Sequence, residues 1–242
     1  MTTSTLHVDD VKYVLNRLPK DVLHLMENHH IFLAGGFIRS VIAGEKPNDI
    51  DLFGAVKLYL EEHAATLVRG RGNCRSVLSK NATTVLAHPY MPVQFIHRWL
   101  YANPLVLLDE FDFTIARAVI WRNSSKEWQS TCDPDFYRDL AARRLVYRAP
   151  DRREDAGGSI MRVVKFLRRG YTIQTPSLAR VITRLVEGVD MDALPGAPGA
   201  LEATLQALLI EVDPSITLNG RFEEPAHEVL DTIVDGYGET TT

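Results

Sequence analysis

The chain has 242 residues, 45% hydrophobic and 24% charged, with a net charge of −4 at pH 7; this is the composition of a globular protein with a substantial core, and the acidic balance excludes a non-specific coat on nucleic acid. Two cysteines, Cys74 and Cys132, in a chain this long predict reduced, buried thiols rather than a disulfide-stapled secreted framework, although the two could pair. Met1 to Asp10 holds no apolar run, so the reading is of a cytoplasmic protein without signal peptide, transmembrane helix or membrane partner.

In chain order, helical spacing of Val11, Val14, Leu15 and Leu18 predicts a first helix over Val8–Leu18, and a second follows over Asp21–Met26. Ile31-Phe32-Leu33 reads as a buried strand stopped by Gly35-Gly36, and Phe37–Ala43 as a helix ended by Gly44. A turn through Pro47-Asn48 leads to a second strand, Ile50–Phe53, and then to a helix over Val56–Val68. Short β-prone runs follow at Ser76–Leu78, Thr83–Leu86 and Val93–Ile96, then a short helix at Pro104–Leu108 and a longer apolar strand over Phe113–Trp121. From about residue 150 the pattern turns helical, over Ile160–Arg169, Ser177–Glu187, Leu201–Val212 and Glu224–Val234. The fold class is therefore α+β, with a mixed sheet flanked by helices in a head spanning 1–149 and a helical C-terminal part spanning 150–242. Charge divides in the same region: residues 138–169 hold ten basic against four acidic side chains, whereas residues 170–242 hold three against twelve. A basic strip of that size can neutralise phosphates, or can be a solvated helix face.

Asp49 and Asp51 stand two apart in a predicted strand, so both carboxylates project from one face while Ile50 and Leu52 enter the core. Two carboxylates so close repel unless a cation lies between them, and Mg²⁺ favours such hard oxygen donors. Gly35-Gly36 follows a strand and opens a helix, where bare backbone N–H groups and the helix dipole favour a phosphate. Arg39, one turn further on, can offer a bidentate fork to the same anion. Crowding relief at the helix start and a solvated Arg39 would explain these residues singly, but not their occurrence together with Asp-x-Asp.

Leu33-Ala34-Gly35-Gly36-Phe37-Ile38-Arg39 with Asn48-Asp49-Ile50-Asp51-Leu52 resembles the head of the polymerase-β-type nucleotidyltransferase superfamily, closest to tRNA nucleotidyltransferases and bacterial poly(A) polymerases. Asp112-Phe113-Thr114-Ile115 is similar to that branch's Asp-Phe-Thr-Ile-Asn motif. Asp139-Leu140 with Arg143 and Leu145 resembles its next motif, and Arg162-Val163-Val164-Lys165-Phe166 through Gly170-Tyr171-Thr172-Ile173 its basic helix. The resemblance runs in order over roughly 31–173. It implies an enzyme that uses Mg²⁺ or Mn²⁺ to transfer a nucleotide from a nucleoside triphosphate to an acceptor hydroxyl, with attack on the α-phosphate and loss of pyrophosphate. Asp49 and Asp51 would bind the metal, Gly35, Gly36 and Arg39 the phosphates, and Arg162 and Lys165 the triphosphate or an RNA acceptor.

The departures are specific. The position of a third acid falls at Gln94, which carries no charge; Asp112, flanked by Phe111 and Phe113, is the expected substitute as catalytic residue and metal ligand, and otherwise a cap or turn residue at a strand start. Glu110-Phe111 and Ala116 replace the Arg-Arg and Asn that flank the Asp-Phe-Thr-Ile motif, and counting back without gaps from Lys165-Phe166 puts Ala156 and Ser159 at the two positions that select the base; Glu154-Asp155 lies close by, but Gly158 stands where its Arg would be needed. A pocket without those polar groups does not discriminate C from A, which argues against CCA-specific addition, as does the shortness of the chain. An RNA end is the first acceptor to consider, and a protein or small molecule the second; a non-catalytic nucleotide-binding module is the third reading. His29-His30, His88 and His97 form no zinc pattern. The oligomeric state is not legible in the sequence.

Overall fold

The computed structural model describes residues 3–148, 156–194, 196, 198–212 and 234–235. Where composition draws one boundary at 149/150, the chain is shared between two interleaved compact units. Among the described residues, those up to Asp109, Ile115–Tyr137 and Val234–Asp235 belong to the first, and Glu110–Thr114 with those from Arg138 to Val212 to the second.

The first unit opens with α1 (Val8–Arg17) and α2 (Lys20–Asn28). Val14 and Leu15 of α1 are buried, and Asp9 and Asp10 in its first turn with Arg17 in its last complement the helix dipole. Strand β1 (Phe32–Ala34) is followed by α3 (Gly36–Ile42), β2 (Ile50–Phe53) and α4 (Lys57–Gly70). Then come β3 (Arg75–Leu78), β4 (Ala82–Leu86), β5 (Val93–Ile96), α5 (Pro104–Asp109), β6 (Ala118–Arg122) and β7 (Trp128–Cys132). The strands stand in the order β3–β4–β5–β2–β1–β6–β7, with the two-residue β10 (Val234–Asp235) on the free side of β3. All pairings in this sheet are antiparallel except β2–β5, which is parallel, so the sheet is mixed. At the opposite edge Ser4 exchanges both backbone hydrogen bonds with Cys132 of β7, at 3.0 and 2.8 Å. Core residues alternate as strands require: Ile50 and Leu52 of β2 are fully buried, as are Val93 and Phe95 of β5. Both cysteines are free thiols, Cys132 buried and Cys74 half-buried, and burial, with the charge of Asp133 beside it, pushes the Cys132 thiol up to about 12.

In the second unit α6 (Phe136–Ala141), which starts in the first, leads to β8 (Arg144–Leu145). Helix α7 (Ala156–Arg168), β9 (Thr172–Ile173), α8 (Thr175–Glu187) and α9 (Ala200–Val212) complete it, with β8 parallel to β9 and α7 packed on both α8 and α9.

The apolar run expected as one strand over Phe113–Trp121 is two pieces. Phe113 forms a bridge with Tyr147, the Thr114 N–H bonds the Val146 carbonyl at 3.0 Å, and a 3₁₀ turn spans Thr114–Ala116. Only Ala118–Arg122 then joins the large sheet, beside β1 and β7. The apolar letters serve two packing partners, and periodicity does not show the turn between them. Strand β7, with three half-buried residues in its first half, has no apolar alternation to betray it. The helix expected over 224–234 lies, but for Val234, outside the described residues. No helix among the described residues is long and apolar enough to cross a membrane.

Candidate active site

Glycine at 35 is dictated by the backbone. Its φ of 78° and ψ of −128° lie in a region open essentially to glycine alone, and its N–H is used by the Ala118 carbonyl at 3.0 Å. That turn ends β1 and starts α3. Gly36, the first residue of α3, has another reason to be small. A methyl group built there meets nothing within 4 Å, so its glycine leaves open space rather than relieving a clash.

Strand β1 runs antiparallel to β2 in the register Phe32↔Phe53 and Leu33↔Leu52. One more step along that ladder sets Ala34 beside Asp51, and the glycine turn therefore lies at the end of β2 that carries Asp49 and Asp51. Those carboxylates share the face opposite Ile50 and Leu52. Both are half-buried, and burial, reinforced by the charge of Asp49, raises the Asp51 carboxyl well above its ordinary value. Gln94 stands across the parallel register from Asp51, and its Nε2 donates to Asp49 Oδ2 at 3.3 Å. Arg39 is only 6% exposed, and its Nη2 donates to Ser40 Oγ at 2.7 Å. Arg39 thus lies within the body of α3, supported by a serine that the motif did not single out.

Asp112, Arg162 and Lys165 belong to the second unit. The Asp112 carboxylate is buried, and its Oδ2 accepts from Ser159 Oγ and from Arg162 Nε, each at 2.8 Å. Arg184 in turn donates to the Ser159 hydroxyl at 3.0 Å. Ser159, read in the sequence only as a lost base-selecting residue, is the fully buried centre of this network; its spacing of three from Arg162 along one helix was the signal available. The motif residues beside Asp112 are also joined, since Thr114 Oγ1 donates to Asp139 Oδ2 at 2.8 Å and Arg144 Nη2 pairs with Asp139 Oδ1 at 2.5 Å. Lys165 is exposed.

The donors of the first unit fit a divalent cation of the Mg²⁺ type. Two carboxylates sit on one strand face, close enough that each disfavours the other's charge, and a hard cation relieves that repulsion. Among the described residues no group of three or more His, Cys, Asp or Glu side chains could hold a metal.

Residues 6–143 match a family model described as Gabija anti-defense 2 family protein. No curated protein sequence matches the chain. Among solved structures, the Thermotoga maritima CCA-adding enzyme complexed with tRNA is similar at 16% identity and a TM-score of 0.52, over 88% of this chain and 56% of that one. A CCA-adding enzyme in complex with ATP is similar at 18% identity and a TM-score of 0.54, again over 88% and 56%. The same kind of enzyme with CTP gives 18% and 0.51, over 89% and 52%. At such identities the likeness is one of fold, and the chain spans little more than half the length of these structures.

Proposed function

The chain belongs to the Gabija anti-defense 2 family, and from that premise we propose that it is a metal-dependent nucleotidyltransferase whose acceptor is not the tRNA 3′ end. The observation that carries this reading is the convergence of the Gly35-Gly36 turn with Asp49 and Asp51 at one end of the β1–β2 ladder. The nucleotidyltransferase-like fold supports it. The family's description points to a role against the Gabija defence, and Ala156 and Ser159, in place of an Asp and an Arg, offer no charged pair for choosing C and A in turn.

In this reading Asp49 and Asp51 hold the cation of a nucleoside triphosphate, with Mg²⁺ as the first candidate and Mn²⁺ as a substitute. A divalent cation there supplies Lewis acidity that offsets charge on the α-phosphate and on departing pyrophosphate. The open space at Gly36 and the N-terminus of α3 receive phosphate oxygens. Arg39, braced by Ser40, contributes positive charge behind the turn. Gln94 orients Asp49 through its amide N–H. Within the second unit Asp112 acts as a positioning residue that fixes Arg162 on α7, where Arg162 and Lys165 offer positive charge to the phosphates of a nucleic-acid acceptor.

The test is incubation of the protein with each α-labelled NTP and Mg²⁺ or Mn²⁺, together with RNA or with lysate containing the Gabija proteins. Label in RNA or in protein that disappears with Asp49→Ala supports nucleotidyl transfer and identifies the acceptor class. Binding of NTP without any transfer instead supports a nucleotide-binding module, the reading that the neutral Gln94 favours.

A further inference from the structure

On the nucleotidyl-transfer reading above, the first unit also carries an aromatic ring near the acidic pair. Ile50, which stands between Asp49 and Asp51, donates its N–H to the Pro92 carbonyl at 2.9 Å, and β2 runs parallel to β5 from that point. The loop over 87–92, which joins β4 to β5, therefore lies at the end of the sheet that holds the carboxylates and the Gly35-Gly36 turn. Tyr90 stands in this loop, its N–H bonded to the Ala87 carbonyl at 2.6 Å. With neighbouring strands about 4.8 Å apart and successive Cα atoms about 3.8 Å apart, its Cα is within about 13 Å of that of Asp49. The base of a nucleotide whose phosphates lie at the carboxylates can reach a ring so placed.

The ring is held in place by its neighbours. The Arg71 guanidinium, at the end of α4, lies over it with the central carbon 4.7 Å from the ring centroid. That guanidinium is itself fixed, since the Arg71 side chain is 3% exposed and its Nε and Nη2 donate to the two carboxylate oxygens of Asp21 at 2.5 and 2.8 Å. A cation seated on one face of the ring restrains it before a ligand arrives, which lowers the ordering cost of stacking on the other face. Tyr90 is nevertheless 53% exposed, and the face turned away from Arg71 is the one a ligand can cover.

We propose that Tyr90 is the stacking platform for the base of the nucleoside triphosphate. A ring face offers every base the same surface and reads no base edge, so the platform accepts all four NTPs and favours the larger purines.

The experiment measures, by calorimetry in Mg²⁺, the affinity of the full chain and its Tyr90 variants for non-hydrolysable analogues of the four NTPs and for inorganic tripolyphosphate. Tyr90→Ala is expected to bind all four analogues at least fivefold more weakly, the purines most, and tripolyphosphate as the wild type does. Tyr90→Phe should keep wild-type affinity. Tyr90→Trp should bind the analogues as tightly or more tightly, and its indole emission should be quenched by them beyond the wild-type response but not by tripolyphosphate. A tyrosine that only shields the Arg71–Asp21 pair would change the melting temperature without separating analogue from tripolyphosphate. Wild-type affinity of Tyr90→Ala for the analogues, or an equal loss for tripolyphosphate, would overturn the inference while Asp49-dependent NTP binding still stood. A loss confined to binding of an RNA oligonucleotide would overturn it too. A wild-type chain that binds no analogue would overturn both readings.

Discussion

Arg162 Nε donates to Asp112 Oδ2 at 2.8 Å, and the Ser159 hydroxyl bonds the same oxygen, so one turn of α7 grips a carboxylate from a segment almost fifty residues earlier in the chain. Asp112→Ala leaves both donors short of that acceptor and is expected to cost about 2 kcal/mol. Asp112→Asn keeps an accepting oxygen and should cost about half as much. Urea unfolding at constant m-value measures both. A ligand role for Asp112 would show instead as lost Mn²⁺ affinity at unchanged stability.

The two glycines of the turn should part company. Gly35→Ala forces a side chain into φ 78° and is expected to destabilise by about 1–3 kcal/mol. Gly36→Ala has open space and a helical backbone, so it should leave stability unchanged or raise it by up to about 1 kcal/mol. The added methyl nevertheless fills the space assigned to phosphate, and NTP affinity measured by calorimetry should fall at least fivefold. Unchanged affinity would remove Gly36 from the binding surface.

Asp51→Asn removes one of two like charges on a half-buried strand face. In the absence of divalent ions its melting temperature should be equal to the wild type or about 2 °C higher. The same variant should lose transfer and lose the rise in melting temperature that Mg²⁺ plus NTP gives the wild type. A variant that still gains stability from Mg²⁺ and NTP would place the cation elsewhere.

Acid stability has an identifiable contributor away from the site. Burial pushes Asp21 up, but the bidentate hydrogen bonds and charge of Arg71, at 2.5 and 2.8 Å, and the Val22 N–H outweigh it, so its folded pKa lies below the ordinary 3.8. A depressed carboxylate stabilises the fold above its unfolded pKa, and that contribution disappears as pH falls through the folded value. Asp21→Asn should therefore be less stable than the wild type at pH 7, and the difference should close below pH 3.8 in denaturation curves taken across pH.

Much of the first unit was legible because it follows simple periodicities. Strands β2 and β5 match their expected limits, since each alternates deeply buried Ile, Leu, Val or Phe with polar residues and is bounded by turn formers. The face shared by Asp49 and Asp51 followed from the same two-residue period. Less legible was anything that depends on a partner distant in sequence. The break at Thr114–Ala116 arises from pairing with Val146 and Tyr147, and Ser40 beneath Arg39 is a contact between neighbours whose direction only the helix start determines. Gln94 was recognisable as a missing acid, but its hydrogen bond to Asp49 depends on a parallel register that no local pattern encodes. The burial of Asp112 beneath Ser159 was invisible for the same reason.

The pairing of Ser4 with Cys132 closes part of the last edge of the large sheet. A strand edge left open is a template for another chain. Deleting the first six residues would strip away this selvedge without touching the acidic pair, and the shortened protein should self-associate with rising concentration while each monomer keeps its affinity for nucleotide.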